Sequence, residues 1–238
     1  MTADIPATTF ATEYEFNDPK KTPLIIRQDS NGDLAAGVGS TIWDASYVLS
    51  KYIEKAVGTD STQAEESNFL RKPSQRVRSA VSCLELGSGT GLVGLVSGAV
   101  LQHLRQLYLS DKSSVMPLLK HNVGANQFRE DLDVIAVTLD WTNLEEAPEE
   151  LTEKSIDLIV CSDCLWEENL HQPLLDAFVK YSNPRTMVLL AFESRKFEEE
   201  ARFFAKFGEL FQFRDIKPEE QDERWQSEDI YIFVAKRR

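Results

Sequence analysis

Leu84-Glu85-Leu86-Gly87-Ser88-Gly89-Thr90-Gly91 follows an apolar run that begins at Val81 and precedes a segment whose apolar residues recur at helical spacing from Leu92 onward. A strand that runs into a helix through alternate glycines is the setting in which a glycine loop cradles a nucleotide-type ligand. Each glycine allows a sharp turn and a close approach of backbone to ligand, at φ values that a Cβ resists. Glu85 adds an acid two residues ahead of Gly87, so Glu85, Gly87, Ser88 and Gly89 are the first candidate ligand-binding residues.

Outward from this loop, short apolar runs alternate with helical stretches. The spacing predicts strands over 81–86, 106–110, 134–139, 156–162 and 186–192, and helices over 92–103, 113–127, 170–181 and 197–207. Repeated strand–helix–strand units give a mostly parallel sheet with helices on both faces, an α/β architecture. Two last strand-like runs, 211–216 and 230–235, are joined without a helix by a charged loop whose run 218–224 reads as solvated. Lacking a crossover, the second must return antiparallel to the first, so a seven-stranded sheet ends in an antiparallel hairpin.

Ahead of this core, residues 1–23 are polar and rich in Thr, Pro and Asp, which reads as a flexible tail. A strand over 24–28, a glycine-bearing turn over 32–39 and an amphipathic helix over 41–56 follow, and 58–79 lose periodicity as a surface linker should. With 238 residues and 42% hydrophobic composition, one domain over 24–238 is expected, its sheet core in 80–238.

Charge and cysteine usage narrow the partners. A net charge of -13 repels phosphate backbones, so a nucleic-acid partner is not expected. No run approaches the roughly 18 consecutive apolar residues of a membrane span, and the first residues show neither the basic start nor the apolar core of a secretory signal. The expected compartment is the cytoplasm, with the nucleus second. Cys83, Cys161 and Cys164 lie in apolar segments and read as core residues, including the Cys161-x-x-Cys164 pair, which has no second ligand pair to complete a metal site. His103, His121 and His171 are widely separated and have no triad partners.

Two further acids extend the candidate site. Asp111 ends the strand after the glycine loop, where an acid in a doubly wound sheet accepts hydrogen bonds from both ribose hydroxyls; alternatively it caps the helix that follows. Leu139-Asp140-Trp141 ends the next strand, and Asp140 with Trp141 is placed to meet an adenine, or else is a charged strand end beside a core aromatic. In this order the loop and Asp111 define an adenosine site, which NAD or S-adenosylmethionine would fill. The GxGxG spacing with its preceding acid and the terminal hairpin resemble class I, Rossmann-like methyltransferases, in which the loop faces the methionine end of S-adenosylmethionine.

More specific stretches occur in order along the chain: Gly37-Val38-Gly39-Ser40-Thr41-Ile42-Trp43-Asp44-Ala45, Ser162-Asp163-Cys164-Leu165-Trp166-Glu167-Glu168, Phe192-Glu193-Ser194-Arg195 and Ser227-Glu228-Asp229-Ile230. Together with the glycine loop they resemble the motifs of the family-16 protein-lysine methyltransferases, from about Leu24 to Lys236, and most of all the branch that acts on valosin-containing protein, a hexameric AAA ATPase. The resemblance implies that Trp43 and Ser162 line the cofactor pocket and that Asp163 opens an Asp-x-x-Tyr motif. Trp166 stands where that motif has tyrosine, which keeps a large ring and loses the hydroxyl.

On this reading Asp163, Trp166 and Glu193 are the candidate catalytic residues: two carboxylates at the ends of adjacent strands to orient a substrate amine, and a ring to flank it. The expected partner is a protein, an AAA ATPase of the valosin-containing kind first and a translation elongation factor second, with the enzyme acting as a monomer. Methylation of a small amine such as nicotinamide, or a cofactor-binding module without turnover, are the alternatives.

Overall fold

The computed structural model describes residues 9–29, 37–58, 70–151 and 155–238. Strands β1 (Phe10–Tyr14) and β2 (Leu24–Gln28) pair antiparallel as a small separate sheet. A short turn of 3-10 helix, Gly37–Ser40, leads to helix α1 (Asp44–Gly58). That helix buries Ala45, Val48, Leu49, Tyr52, Ile53 and Ala56, the stripe its periodicity predicts. Helix α2 (Pro73–Ser79) then enters the main sheet.

The sheet is built from β3 (Ser82–Leu86), followed by α3 (Leu92–Val100), β4 (Gln106–Asp111), α4 (Met116–Ala125) and β5 (Asp133–Thr138). It continues through β6 (Leu158–Ser162), α5 (His171–Tyr181), β7 (Met187–Glu193), α6 (Phe197–Leu210), β8 (Phe211–Asp215) and β9 (Ile230–Arg237). Strand order is β5-β4-β3-β6-β7-β9-β8, with β3 to β7 parallel and β9 antiparallel to both of its neighbours. The predicted seven strands and the closing hairpin are therefore present.

Apolar residues run unbroken along the central strands because both faces are covered. Cys83, Leu158, Val160, Met187 and Leu189 point into one core with side chains of α1 and α3, while Leu84, Leu86, Ile159, Cys161, Val188 and Leu190 point into the other with α5 and α6. After β3 the chain steps outward through β4 and β5, then crosses back to lay β6 on the opposite side of β3. The connections that leave the carboxyl ends of β3 and β6 consequently run to opposite sides of the sheet, and the crevice at such a reversal is where open α/β sheets hold their ligands.

Three expectations need correction. Residues 10–14 of the expected tail form β1, anchored by Tyr14, which is 1% exposed and donates its hydroxyl to Glu54 Oε1 at 2.6 Å. Residues 73–79 of the expected linker form α2, with Pro73 and Val77 buried and Arg76 paired to Asp157 at 2.9 Å. The hairpin loop over 218–224 is not simply solvated: Gln221 and Asp222 are buried, and Asp222 Oδ2 accepts from Asn17 Nδ2 at 2.7 Å. Residues 32–36 of the expected turn and 59–69 of the expected linker lie outside the described residues, while 37–39 of that turn belong to the 3-10 turn Gly37–Ser40.

Candidate active site

The glycine loop forms the floor of a cleft at the carboxyl ends of β3, β4 and β6. Gly87, Gly89 and Gly91 take φ values of 66, 53 and 87, in the left-handed region that side chains resist. Space is as restrictive as torsion at Gly87, where a Cβ would lie 2.5 Å from Cys164 Sγ and 2.9 Å from the Trp141 ring. The Ser88 amide donates to Ser110 O at 2.9 Å and the Gly89 amide to Asp111 Oδ2 at 2.8 Å, so β4 holds the loop in its turn.

Asp111 closes β4 and lines the cleft. Its Oδ1 accepts from the Lys112 amide at 2.8 Å. The capping alternative fails, because α4 starts only at Met116, behind Val115, and has no side-chain cap. Burial pushes the Asp111 carboxyl upward, while the bonds from Gly89 and Lys112 and the Lys112 charge pull the other way. A carboxylate has about four lone-pair positions, so two hydrogen bonds from the protein leave acceptors for two ligand hydroxyls.

The cleft has a volume of about 430 Å³. Asp140 and Trp141 line it beyond Leu139. Asp140 also caps the 3-10 helix Trp141–Glu146, accepting from the Thr142 amide at 2.9 Å and its hydroxyl at 2.7 Å, a local role that neither reading of this acid anticipated. Ser162 lies on the opposite wall with its hydroxyl 2.9 Å from that of Ser46, and Trp43, held by a 2.8 Å bond from Nε1 to Val38 O, forms part of the mouth. Ser46 and Lys112 also line the cleft and had no signal of their own in the sequence.

Glu85 does not line the cleft, and its expected contact with the ligand is withdrawn. It shares a strand face with Cys83, which directs its side chain toward α3, where Oε2 accepts from the Gly94 amide at 3.1 Å. Burial pushes its carboxyl up to about 8, with the nearby Ser88 hydroxyl and the bond from the Gly94 amide opposing and the Asp111 charge adding to the rise. A raised acid binds its proton in the folded chain at pH values where the unfolded chain has lost it, so stability falls as pH climbs from about 4.5 to about 8. Glu85→Gln keeps an acceptor for Gly94 and removes this titration. Its melting temperature relative to the wild type is expected to be higher at pH 8 than at pH 5; an equal difference at both pH values would contradict the placement.

The candidate catalytic groups are arranged differently from expectation. Asp163 and Trp166 line the cleft, whereas Glu193 stands behind it. Between the two carboxylates lies Arg195, quoted within a motif but given no role by sequence. Its guanidinium donates to Asp163 Oδ1 at 2.9 Å and Oδ2 at 2.8 Å, and to Glu193 Oε2 at 2.5 Å. The same guanidinium sits 5.3 Å from the centre of the Trp43 ring. Glu200 of α6 secures this segment, accepting from the Ser194 hydroxyl at 2.6 Å and from the Arg195 and Lys196 amides at 2.8 Å. The cysteines are free and buried, and no group of side chains among the described residues is arranged to hold a metal ion.

An adenosyl ligand with an amino-acid arm fits these residues on three counts. The glycine loop is a cradle that a Cβ would fill, Asp111 keeps spare acceptors, and Trp141 Nε1 is a buried donor without a partner among the described residues. The reversed strand β9, inserted between β7 and the edge strand β8 of a doubly wound sheet, separates this fold from dinucleotide-binding sheets and makes the chain a class I, S-adenosylmethionine-dependent methyltransferase. A family model described as lysine methyltransferase matches residues 19–209, and the chain belongs to that family.

Among its relatives, "Protein-lysine N-methyltransferase EFM6" of Saccharomyces cerevisiae is 28% identical over 236 residues, covering 93% of this chain and 89% of the relative. "Protein N-lysine methyltransferase METTL21A" of Mus musculus is 28% identical over 216 residues, with 90% and 83% covered. "EEF1A lysine methyltransferase 3" of Xenopus tropicalis is 24% identical over 221 residues, with 91% and 82% covered. Of solved structures, the fibrillarin pre-rRNA processing protein of Methanococcus jannaschii superposes with a TM-score of 0.54 at 11% identity over 98% of this chain and 96% of its own, which supports the fold.

Proposed function

We propose that this enzyme methylates a lysine side chain on a folded protein, with a translation elongation factor of the EEF1A kind as the first substrate to test. The observation that carries the proposal is the lysine-methyltransferase match over 19–209, which spans the glycine loop, Asp111, Asp163 and Arg195. The elongation factor is preferred to the AAA ATPase because a relative is named for EEF1A. A protein substrate also suits the mouth of the cleft, where Trp43 and Trp166 are each 40% exposed and free to pack against a macromolecule.

Bound S-adenosylmethionine supplies a methyl already activated on a sulfonium. The chain's own work is placement and exclusion of water. In this reading Gly87 and Gly89 hold the methionine arm, Asp111 the ribose hydroxyls, and Asp140 and Trp141 the adenine, with Ser162 and Trp43 on the walls. Trp166 flanks the substrate amine, and its ring face attracts a methylated ammonium by about 0.5 to 2 kcal/mol. The lysine must arrive as the free base, since an ammonium has no lone pair and its unperturbed pKa is about 10.4.

Incubating the purified enzyme with labelled S-adenosylmethionine and cell lysate, followed by electrophoresis and mass spectrometry, tests the proposal. A labelled protein band carrying methyl-lysine at the mass of the elongation factor is expected. A band at the mass of the ATPase would reverse the order of substrates, and label confined to small molecules would overturn the protein substrate.

A further inference from the structure

Asp163 is the only non-glycine residue among the described ones with a positive φ, at 56. A side chain in that region persists where its surroundings fix it. Its amide donates to Ala191 O at 2.8 Å, and its carboxylate, 3% exposed, accepts the Glu193 amide at 3.2 Å and both arms of the Arg195 fork. The group expected to greet the substrate amine is thus already engaged on both oxygens. Arg195, 33% exposed, lines the cleft beside it and presents the charge that is still open to a ligand.

We propose that Arg195 is a positioning residue for methyl transfer, withholding the Asp163 carboxylate from the substrate lysine and fixing a positive charge on the cleft wall so that the amine binds as its free base. The inference rests on the lysine-methyltransferase reading above. Uncompensated carboxylates stabilise an ammonium and raise its pKa, whereas a neighbouring cation lowers it. With Arg195 between them, Asp163 and Glu193 leave one net negative charge; without it they leave two. Arginine suits the task because it keeps its charge at any working pH and its fork matches a carboxylate. Trp43, stacked near the guanidinium, holds the fork against the cleft. The remaining charged groups that face this space are Asp111 at the end of β4, Lys112 after it, Asp140 after β5 and Glu167 ahead of α5, with Glu200 of α6 behind the Arg195 amide. These are constant between variants and set the baseline of the pH profile.

The test follows initial rates of label transfer from saturating S-adenosylmethionine into the labelled lysate protein, between roughly pH 6.5 and 9.5, for the wild type, R195Q, R195K and E193Q. R195Q is expected to move the acid limb of the profile alkaline by about one pH unit, a loss of about tenfold near neutrality that shrinks as pH rises. R195K restores the wild-type limb, and E193Q, which removes a negative charge, moves it in the acid direction. Calorimetric affinity for the cofactor stays within about threefold of wild type in all three, which reports an intact fold. A loss of the same factor at every pH, an unchanged R195Q, or an E193Q shift in the alkaline direction overturns the inference while leaving the enzyme class standing. Absence of any labelled protein with the wild type sinks the protein-lysine reading and this inference with it.

Discussion

Gly87→Ala is expected to abolish cofactor binding within the measurable range and to lower the melting temperature. Two costs coincide at this residue. The left-handed backbone at φ 66 costs an L side chain about 1 to 2 kcal/mol. The added methyl would lie 2.5 Å from Cys164 Sγ and 2.9 Å from the Trp141 ring, and overpacking of this sort costs about 1 to 3 kcal/mol. The strain is relieved only by moving the loop or the Trp141 wall, and both line the cleft. Calorimetry with S-adenosylhomocysteine and a thermal melt read the two effects separately. Cys164→Ala in the same chain removes the closest contact and is expected to restore part of the melting temperature. Gly124→Ala is the control: a Cβ there meets nothing within 4 Å, and alanine in the last turn of α4 is expected to be neutral or stabilising. Equal behaviour of the Gly87 and Gly124 variants would mean that the loop has no part in the ligand site.

Asp111→Ala is expected to weaken cofactor binding by about 1.5 to 3 kcal/mol through lost charge-assisted hydrogen bonds. At 1.4 kcal/mol per decade, that is a factor of about 10 to 150 in affinity. Part of the loss comes through the protein, since Asp111 Oδ2 also holds the Gly89 amide. Asp111→Asn separates the two contributions: it keeps an oxygen for Gly89 and gives up the charge, so it should fall between alanine and wild type. Wild-type affinity in the alanine variant would show that the ribose site has been misplaced.

Much of this arrangement is legible in the chain because its physics is local. The central strands are continuous apolar runs, the helices between them carry stripes, and three glycines at alternate positions have no better explanation than a loop that must turn and stay bare. The hairpin follows from the lack of a crossover helix between β8 and β9. What escaped reading is short or distant. In β1 only Tyr14 is buried and in α2 only Pro73 and Val77, too few positions for a periodicity to show. Glu85 was misassigned to the ligand although the alternation of Cys83, Leu84, Glu85 and Leu86 already places it on the face opposite the leucines, toward α3. Arg195 is a different case. Its partner Asp163 is 32 residues away, and nothing in either neighbourhood announces a fork closed around a left-handed carboxylate.

The cleft lined by Gly87 and Asp111 as the seat of an adenosyl sulfonium is tested most directly by titrating the intact, folded wild type with S-adenosylhomocysteine in a calorimeter, beside Gly87→Ala. Saturable uptake of one molecule per wild-type chain, with none by the variant, is the predicted result. A folded wild type that takes up no ligand, or a variant that binds as tightly as its parent, would contradict it.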